Sequence, residues 1–192
     1  LKISDIDFVA FYENPYKSFV RMYKHLFIDL NNLISQHKNL KEWSYSRLRF
    51  EEYFKYIYPN YEGEFFFSQH HLSHAASAFY PSGFNESAIL TIDGVGENTT
   101  ATICYGNGNK IKIISEMQFP HSLGLLYTCI TTYLGFKANS GEYKVMGLAP
   151  YGNPSKFQKI MEDNLVKINE DGSIFLNLEF FDFKNTRKMY TN

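Results

Sequence analysis

The sequence predicts an α/β fold with a mixed sheet, and three observations predict it. Apolar residues recur at helical spacing before about residue 60, and the period then shortens to that of strands. Glycine-bearing turns separate three consecutive strand-like runs between residues 87 and 119. Helical and strand segments thus share one chain. Its 192 residues are 44% hydrophobic and 18% aromatic, enough to bury a sizeable core and too apolar for a disordered chain. No internal repeat or low-complexity tract interrupts the pattern.

Residues 5–12 read as a buried strand, and Pro15 suits the first turn of a helix. From 16 to about 37, Phe19, Met22, Tyr23, Leu26, Phe27, Leu30, Leu33 and Ile34 fall at helical spacing. A second, aromatic-rich helix is expected over 44–58, ending before Pro59, with its aromatic face used for packing. A short strand over 64–68 leads into a helix over 70–80, closed by Pro81 and Gly83. Strands over 87–93, 99–105 and 110–119 form an antiparallel meander through turns at Gly94-Val95-Gly96 and Gly106-Asn107-Gly108-Asn109. The second of these turns is read as a hairpin and nothing more. A helix follows over 122–134, then a polar turn through Gly141, a short helical segment and Pro150. Pro154 opens a further helix to about residue 168, and Asp171-Gly172 turns the chain into a last strand.

The 19 basic and 20 acidic residues nearly cancel, so no general attraction to nucleic acid or an anionic membrane is expected. No apolar run reaches the roughly 20 residues that span a bilayer, and no signal-peptide pattern opens the chain. Cys104 and Cys129 are too few and too far apart for a zinc knuckle or a disulfide framework. They read as two buried free thiols in a reducing cytoplasm. The start at Leu1 and the end at Lys188-Met189-Tyr190-Thr191-Asn192 suggest a segment of a longer protein.

The chemistry-bearing residues cluster in the middle of the chain. His70 and His74 stand at i and i+4, so on a helix both rings can reach one metal ion, while His71 faces elsewhere. The spacing lacks the glutamate of a zinc protease motif, so peptide hydrolysis is not expected. Asp93 ends an apolar run, where a carboxylate either caps the turn or serves as a hard oxygen ligand. Gly94 and Gly96 are expected to adopt positive φ and bring N–H groups to an anion. Ser122 is a natural N-cap, and the helix it opens would present N–H groups to a phosphate. His121 reads as a general base or a polar cap. Glu142 reads as a ribose ligand, and Lys144 as a phosphate contact or a partner for Glu142.

Four blocks then carry a resemblance: His70-His71-Leu72-Ser73-His74-Ala75-Ala76-Ser77-Ala78-Phe79-Tyr80, Asp93-Gly94-Val95-Gly96-Glu97, His121-Ser122-Leu123-Gly124, and the run from Gly141-Glu142-Tyr143-Lys144 to Tyr151-Gly152. In this order they resemble the O-carbamoyltransferases of nodulation-factor and antibiotic tailoring, including those acting on cephamycins and aminoglycosides. The resemblance covers roughly residues 60 to 155. It implies an incomplete actin-like ATPase domain of ribonuclease H-like type, related to the tRNA threonylcarbamoyladenosine transferases. Residues 14–62 would be a helical insert, 63–155 the motif-bearing core and 156–192 the start of the following region.

The same resemblance implies roles and partners. His70, His74 and Asp93 would be the catalytic metal ligands, with iron foremost among divalent ions. Gly94, Gly96, Glu97, His121, Ser122, Gly124, Gly141, Glu142 and Lys144 would line the site for ATP with Mg. Carbamoyl phosphate and ATP would give carbamoyl adenylate, whose carbamoyl group passes to a small-molecule hydroxyl acceptor. Neither nucleic acid nor a membrane is an expected partner, and a homodimer is one possible assembly. The family also draws a further aspartate ligand and adenosine-binding glycines from another half of the domain, so the isolated segment is expected to be inactive. Two alternatives stand beside this reading: an actin-like sugar kinase or ATPase, which leaves the histidine pair unexplained, and a non-catalytic actin-like binding module.

Overall fold

The computed structural model describes residues 2–26, 44–183 and 189–191. Two compact units are resolved, the first made of residues 1–87, 96–98 and 107–111, the second of 88–95, 99–106 and 112–192. The expected α/β composition is observed. The expected single mixed sheet is not: the described strands form three separately hydrogen-bonded sheets of two, three and two strands.

In the first unit, β1 (Phe8–Phe11) pairs in parallel with β2 (Glu64–Phe67), Phe8 opposite Glu64 and Phe11 opposite Phe67. The buried strand expected over 5–12 is shorter and only half-covered, since Phe8 is 61% exposed. A two-stranded sheet has two edges and cannot bury both faces on its own. Helix α1 (Pro15–Leu26) opens on Pro15, as expected, and Asn14 caps it by accepting from the N–H groups of Tyr16 and Lys17. The expected continuation through Phe27, Leu30, Leu33 and Ile34 lies outside the described residues. The single helix expected over 44–58 divides into a π-helical turn, Ser44–Leu48, and α2 (Phe50–Ile57). Its aromatic face packs: Phe50 and Phe54 meet Phe65 edge-on, and Phe54 meets the buried Tyr61 at 5.2 Å. Helix α3 (His70–Phe79) follows β2 and buries His71, Ala75 and Phe79.

In the chain order expected, β3 (Glu86–Gly96), β4 (Thr99–Asn107) and β5 (Lys110–Gln118) form one sheet of consecutive neighbours. Two-residue connections between hydrogen-bonded strands require antiparallel pairing, so the meander is observed. β3 runs three residues further than expected, which moves the turn from Gly94-Val95-Gly96 to Glu97-Asn98.

The second unit also holds the elements that follow β5. Thr91, Thr100, Thr102 and Cys104 are buried, and the hydroxyls of Thr91 and Thr102 meet at 2.6 Å. Helix α4 (Leu123–Tyr133) leads to the short α5 (Glu142–Leu148) and α6 (Gln158–Asn164). The helix expected from Pro154 to 168 stops earlier, because Val166–Ile168 is β6, paired antiparallel with β7 (Ile174–Leu176). The β-branched residues Val166 and Ile168 and the Asp171-Gly172 turn make that hairpin the better use of the segment. A core of Cys129, Leu176, Phe181 and Met189 closes this end. Cys104 and Cys129 are free and buried, as expected. No helix among the described residues is long and apolar enough to cross a membrane.

Candidate functional site

At the start of helix α3 a carboxylate satisfies the first N–H. Glu97 accepts from the His70 N–H at 3.3 Å and from the Asn14 N–H at 2.7 Å, so one side chain ties the starts of α3 and α1 together. Lys17 stands 3.8 Å from its other oxygen. Glu97 is 7% exposed and has φ 60°, a left-handed conformation that costs a non-glycine residue roughly 1–2 kcal/mol. Its bonds to two backbone donors offset that cost. Ser73 adds a tether by donating to the Tyr12 carbonyl at 2.8 Å.

The imidazoles then meet as the i, i+4 spacing predicts. The Nε2 atoms of His70 and His74 lie 3.0 Å apart, and their ring centroids 4.7 Å apart. His70 is the more enclosed: Tyr12 contacts its ring edge-on at 5.6 Å, and a Cβ placed on Gly96 would overlap its ring atoms. Gly96 is thus required by close approach. The expected positive φ at Gly94 and Gly96 is not observed: both lie inside β3, and Glu97 takes the left-handed position instead.

His70 Nδ1 is buried and stands 3.4 Å from Glu13 Oε2. Glu13, only 4% exposed, also receives an ion-paired hydrogen bond from Arg47. Hydrogen bonding from His70 holds the Glu13 carboxyl below the usual carboxylate range, and Arg47 adds to this against the opposing effect of burial. Sequence reasoning passed over Glu13, whose partners come from elsewhere in the chain; its one local signal is a charge directly before the Asn14-Pro15 helix start.

In the second unit, Asp93, Gly94, Gly124 and Glu142 line a common cleft of about 510 Å³, together with Thr128 and Asn139. Asp93 lies three residues before Gly96 on β3, and its Oδ1 accepts from the Gly94 N–H at 2.7 Å. Ser122 caps α4 as expected, accepting from Leu125 N–H at 3.0 Å. Its hydroxyl donates toward the Gly94 carbonyl at 2.7 Å, with the Asp93 carbonyl 3.2 Å away, so the cap also fastens β3. Gly124 packs so closely that a Cβ would stand 2.5 Å from the Asp93 carbonyl oxygen.

Glu142 accepts from the N–H groups of Asn139 and Gly141 and from the Thr128 hydroxyl. Burial alone would raise its pKa; these donors outweigh burial and hold the carboxyl below the usual range. Lys144 does not pair with Glu142 but lies over the rings of Phe136 and Tyr143, at 5.7 and 5.9 Å. His121 accepts at Nδ1 from the Leu176 N–H at 3.2 Å, which places the proton of the neutral ring on Nε2. Burial pushes its pKa down.

The same segments match known proteins. An uncharacterised protein of Synechocystis is 40% identical over 195 residues, spanning 95% of this chain and 31% of that protein. The nodulation protein NolNO of Sinorhizobium fredii is 48% identical over 96 residues, covering 50% of this chain and 14% of its own length. Nodulation protein NolO of Bradyrhizobium diazoefficiens is 42% identical over 91 residues, covering 47% and 16%. The chain therefore spans less than a third of the length of these relatives. A family model described as the carbamoyltransferase N-terminus matches residues 1–192, the histidine pair, the glycine-lined cleft and everything between them included, and the chain belongs to that family.

Proposed function

We propose that this chain supplies part of the active site of an ATP-dependent O-carbamoyltransferase built on an actin-like domain. The observation that carries the reading is the His70–His74 pair, whose Nε2 atoms lie 3.0 Å apart on a helix held by buried carboxylates. Two nitrogens each roughly 2.1 Å from one ion, at right angles, are about 3.0 Å apart, so the donor set fits a divalent metal. By the family resemblance, His70 and His74 with Asp93 would hold that metal, with iron the leading candidate. When bound, the ion supplies Lewis acidity toward the carbamoyl carbonyl.

The chain's own residues do the rest. Leu123 and Gly124 line the cleft at the start of α4, where N–H groups without intrahelical acceptors face an anion such as the phosphates of Mg-bound ATP. Gly124 leaves room for β3 to approach, and Ser122 fixes the Asp93-Gly94 backbone. Glu142 stiffens the Asn139–Gly141 loop beside the same cleft. In this reading carbamoyl phosphate loses its phosphate to water, the resulting carbamate oxygen takes the adenylyl group of ATP with loss of pyrophosphate, and a small-molecule hydroxyl then takes the carbamoyl group, releasing AMP and a proton. Membership of the family and the nodulation relatives support carbamoyl transfer. A sugar kinase on the same fold gives the histidine pair no task.

Metal content by mass spectrometry tests the reading, together with carbamoyl adenylate formation from ATP and carbamoyl phosphate, both measured on the full-length protein that carries this segment. A stoichiometric ion, lost along with adenylate formation in the His70→Ala/His74→Ala variant, is expected. Unchanged metal content and full activity in that variant would overturn the site.

A further inference from the structure

We propose that Glu13 is a positioning residue for the histidine pair: its carboxylate engages His70 at Nδ1, so that the lone pair of Nε2 is presented to the metal. The inference rests on the reading of His70 and His74 as ligands. A carboxylate only accepts, so the ring nitrogen that faces it carries the proton. His70 Nδ1 is the nitrogen 3.4 Å from Glu13 Oε2, and its Nε2 is the one directed at His74. With the proton on Nδ1, Nε2 is bare and ready to coordinate. In the metal-free protein the 3.0 Å contact is then satisfied by His74 donating from its own Nε2.

The surroundings argue that this is a built arrangement. An ionised carboxylate that is 4% exposed is costly unless it is paired. Arg47 provides the charge, and its own side chain, 41% exposed, remains partly hydrated. The ring itself is confined by Tyr12 and Gly96, and its backbone by Glu97. His70 is thus restrained from two segments distant in sequence, Tyr12-Glu13 and Gly96-Glu97. Carboxylates that hold metal-bound imidazoles in this way typically contribute 10–100-fold to metal affinity.

The test is Co²⁺ binding by the full chain, followed by visible absorption and by competition with a chelator. It is combined with ¹⁵N–¹H NMR of the imidazole nitrogens in the metal-free protein. Glu13→Gln is expected to weaken Co²⁺ binding about 10–100-fold and to shift His70 from the Nδ1–H tautomer toward a mixture, with Glu13→Asp restoring part of both. Co²⁺ affinity within about twofold of wild type, with the His70 tautomer unchanged, would overturn the proposal. Should Glu13→Gln not fold, the wild-type spectrum decides: a His70 ring protonated chiefly on Nε2 overturns the assignment, and one protonated on Nδ1 supports it. A wild-type protein that binds no Co²⁺ would remove the metal reading and this inference together. Tight wild-type binding that is insensitive to Glu13 removes this inference alone.

Discussion

Around His70 the first unit buries carboxylates, whereas around Gly94 the second unit buries hydroxyls and backbone groups. Glu13 and Glu97 are each less than a tenth exposed and make contacts with His70, Arg47 and the starts of two helices. In the cleft of the second unit Ser122 fastens the Gly94 carbonyl, and the Thr128 hydroxyl and the amides of Asn139 and Gly141 hold the Glu142 carboxylate. The contrast is chemical. Negative charge behind an imidazole strengthens its lone pair as a cation ligand, whereas the N–H groups of Gly94, Asn139 and Gly141 in the second region are taken up by the Asp93 and Glu142 carboxylates.

The largest effect is expected from Gly96→Ala, which sharpens the account of the first region. The new methyl would overlap the His70 ring, and the ring is confined on its other sides. A stability loss of roughly 1–3 kcal/mol by chemical denaturation is expected, with weakened metal binding by titration. A variant as stable as wild type, with unaltered metal affinity, would break the picture of a confined ligand.

Ser122→Ala probes the second region and should cost somewhat less. The substitution removes an N-cap and a donor to the Gly94 carbonyl, worth about 1–2 kcal/mol together. Unfolding with and without ATP-Mg checks it, since the loosened Asp93-Gly94 backbone should also weaken the nucleotide-dependent stabilisation. A loss below about 0.3 kcal/mol would show that the cap does not fasten β3.

The smallest effect is a pH dependence. Burial lowers the His121 pKa, so below the ordinary value of about 6.5 the unfolded chain binds more protons than the folded one. His121 therefore stabilises the fold fully above that pH, and its contribution fades as pH falls through it toward the folded pKa. Replacing His121 by Gln should flatten the stability profile in that window. A profile indistinguishable from wild type between about pH 5 and 7 would break the assignment of His121 as a half-buried neutral acceptor.

Much of this was legible along the chain. The His70–His74 pair, the Ser122 cap and the meander follow from local rules: an i, i+4 spacing, an N-cap before an apolar helix and turns between alternating strands. The errors were local as well. Gly94 and Gly96 looked like turn glycines, but β3 extends through both, and Gly96 is small because a ring from another element occupies the space beside it. Glu97 reads as a ligand residue next to a glycine turn, and it is also the clasp between α1 and α3.

The sequence by itself determined the element types, the placement of the two histidines on one helical face and the family to which the chain belongs, because spacing and short motifs survive without tertiary context. Only the tertiary structure decided which carboxylates stand behind those histidines. Glu13 meets His70 and Arg47 across long stretches of chain, and no periodicity encodes a contact between side chains that become neighbours only when the first unit packs.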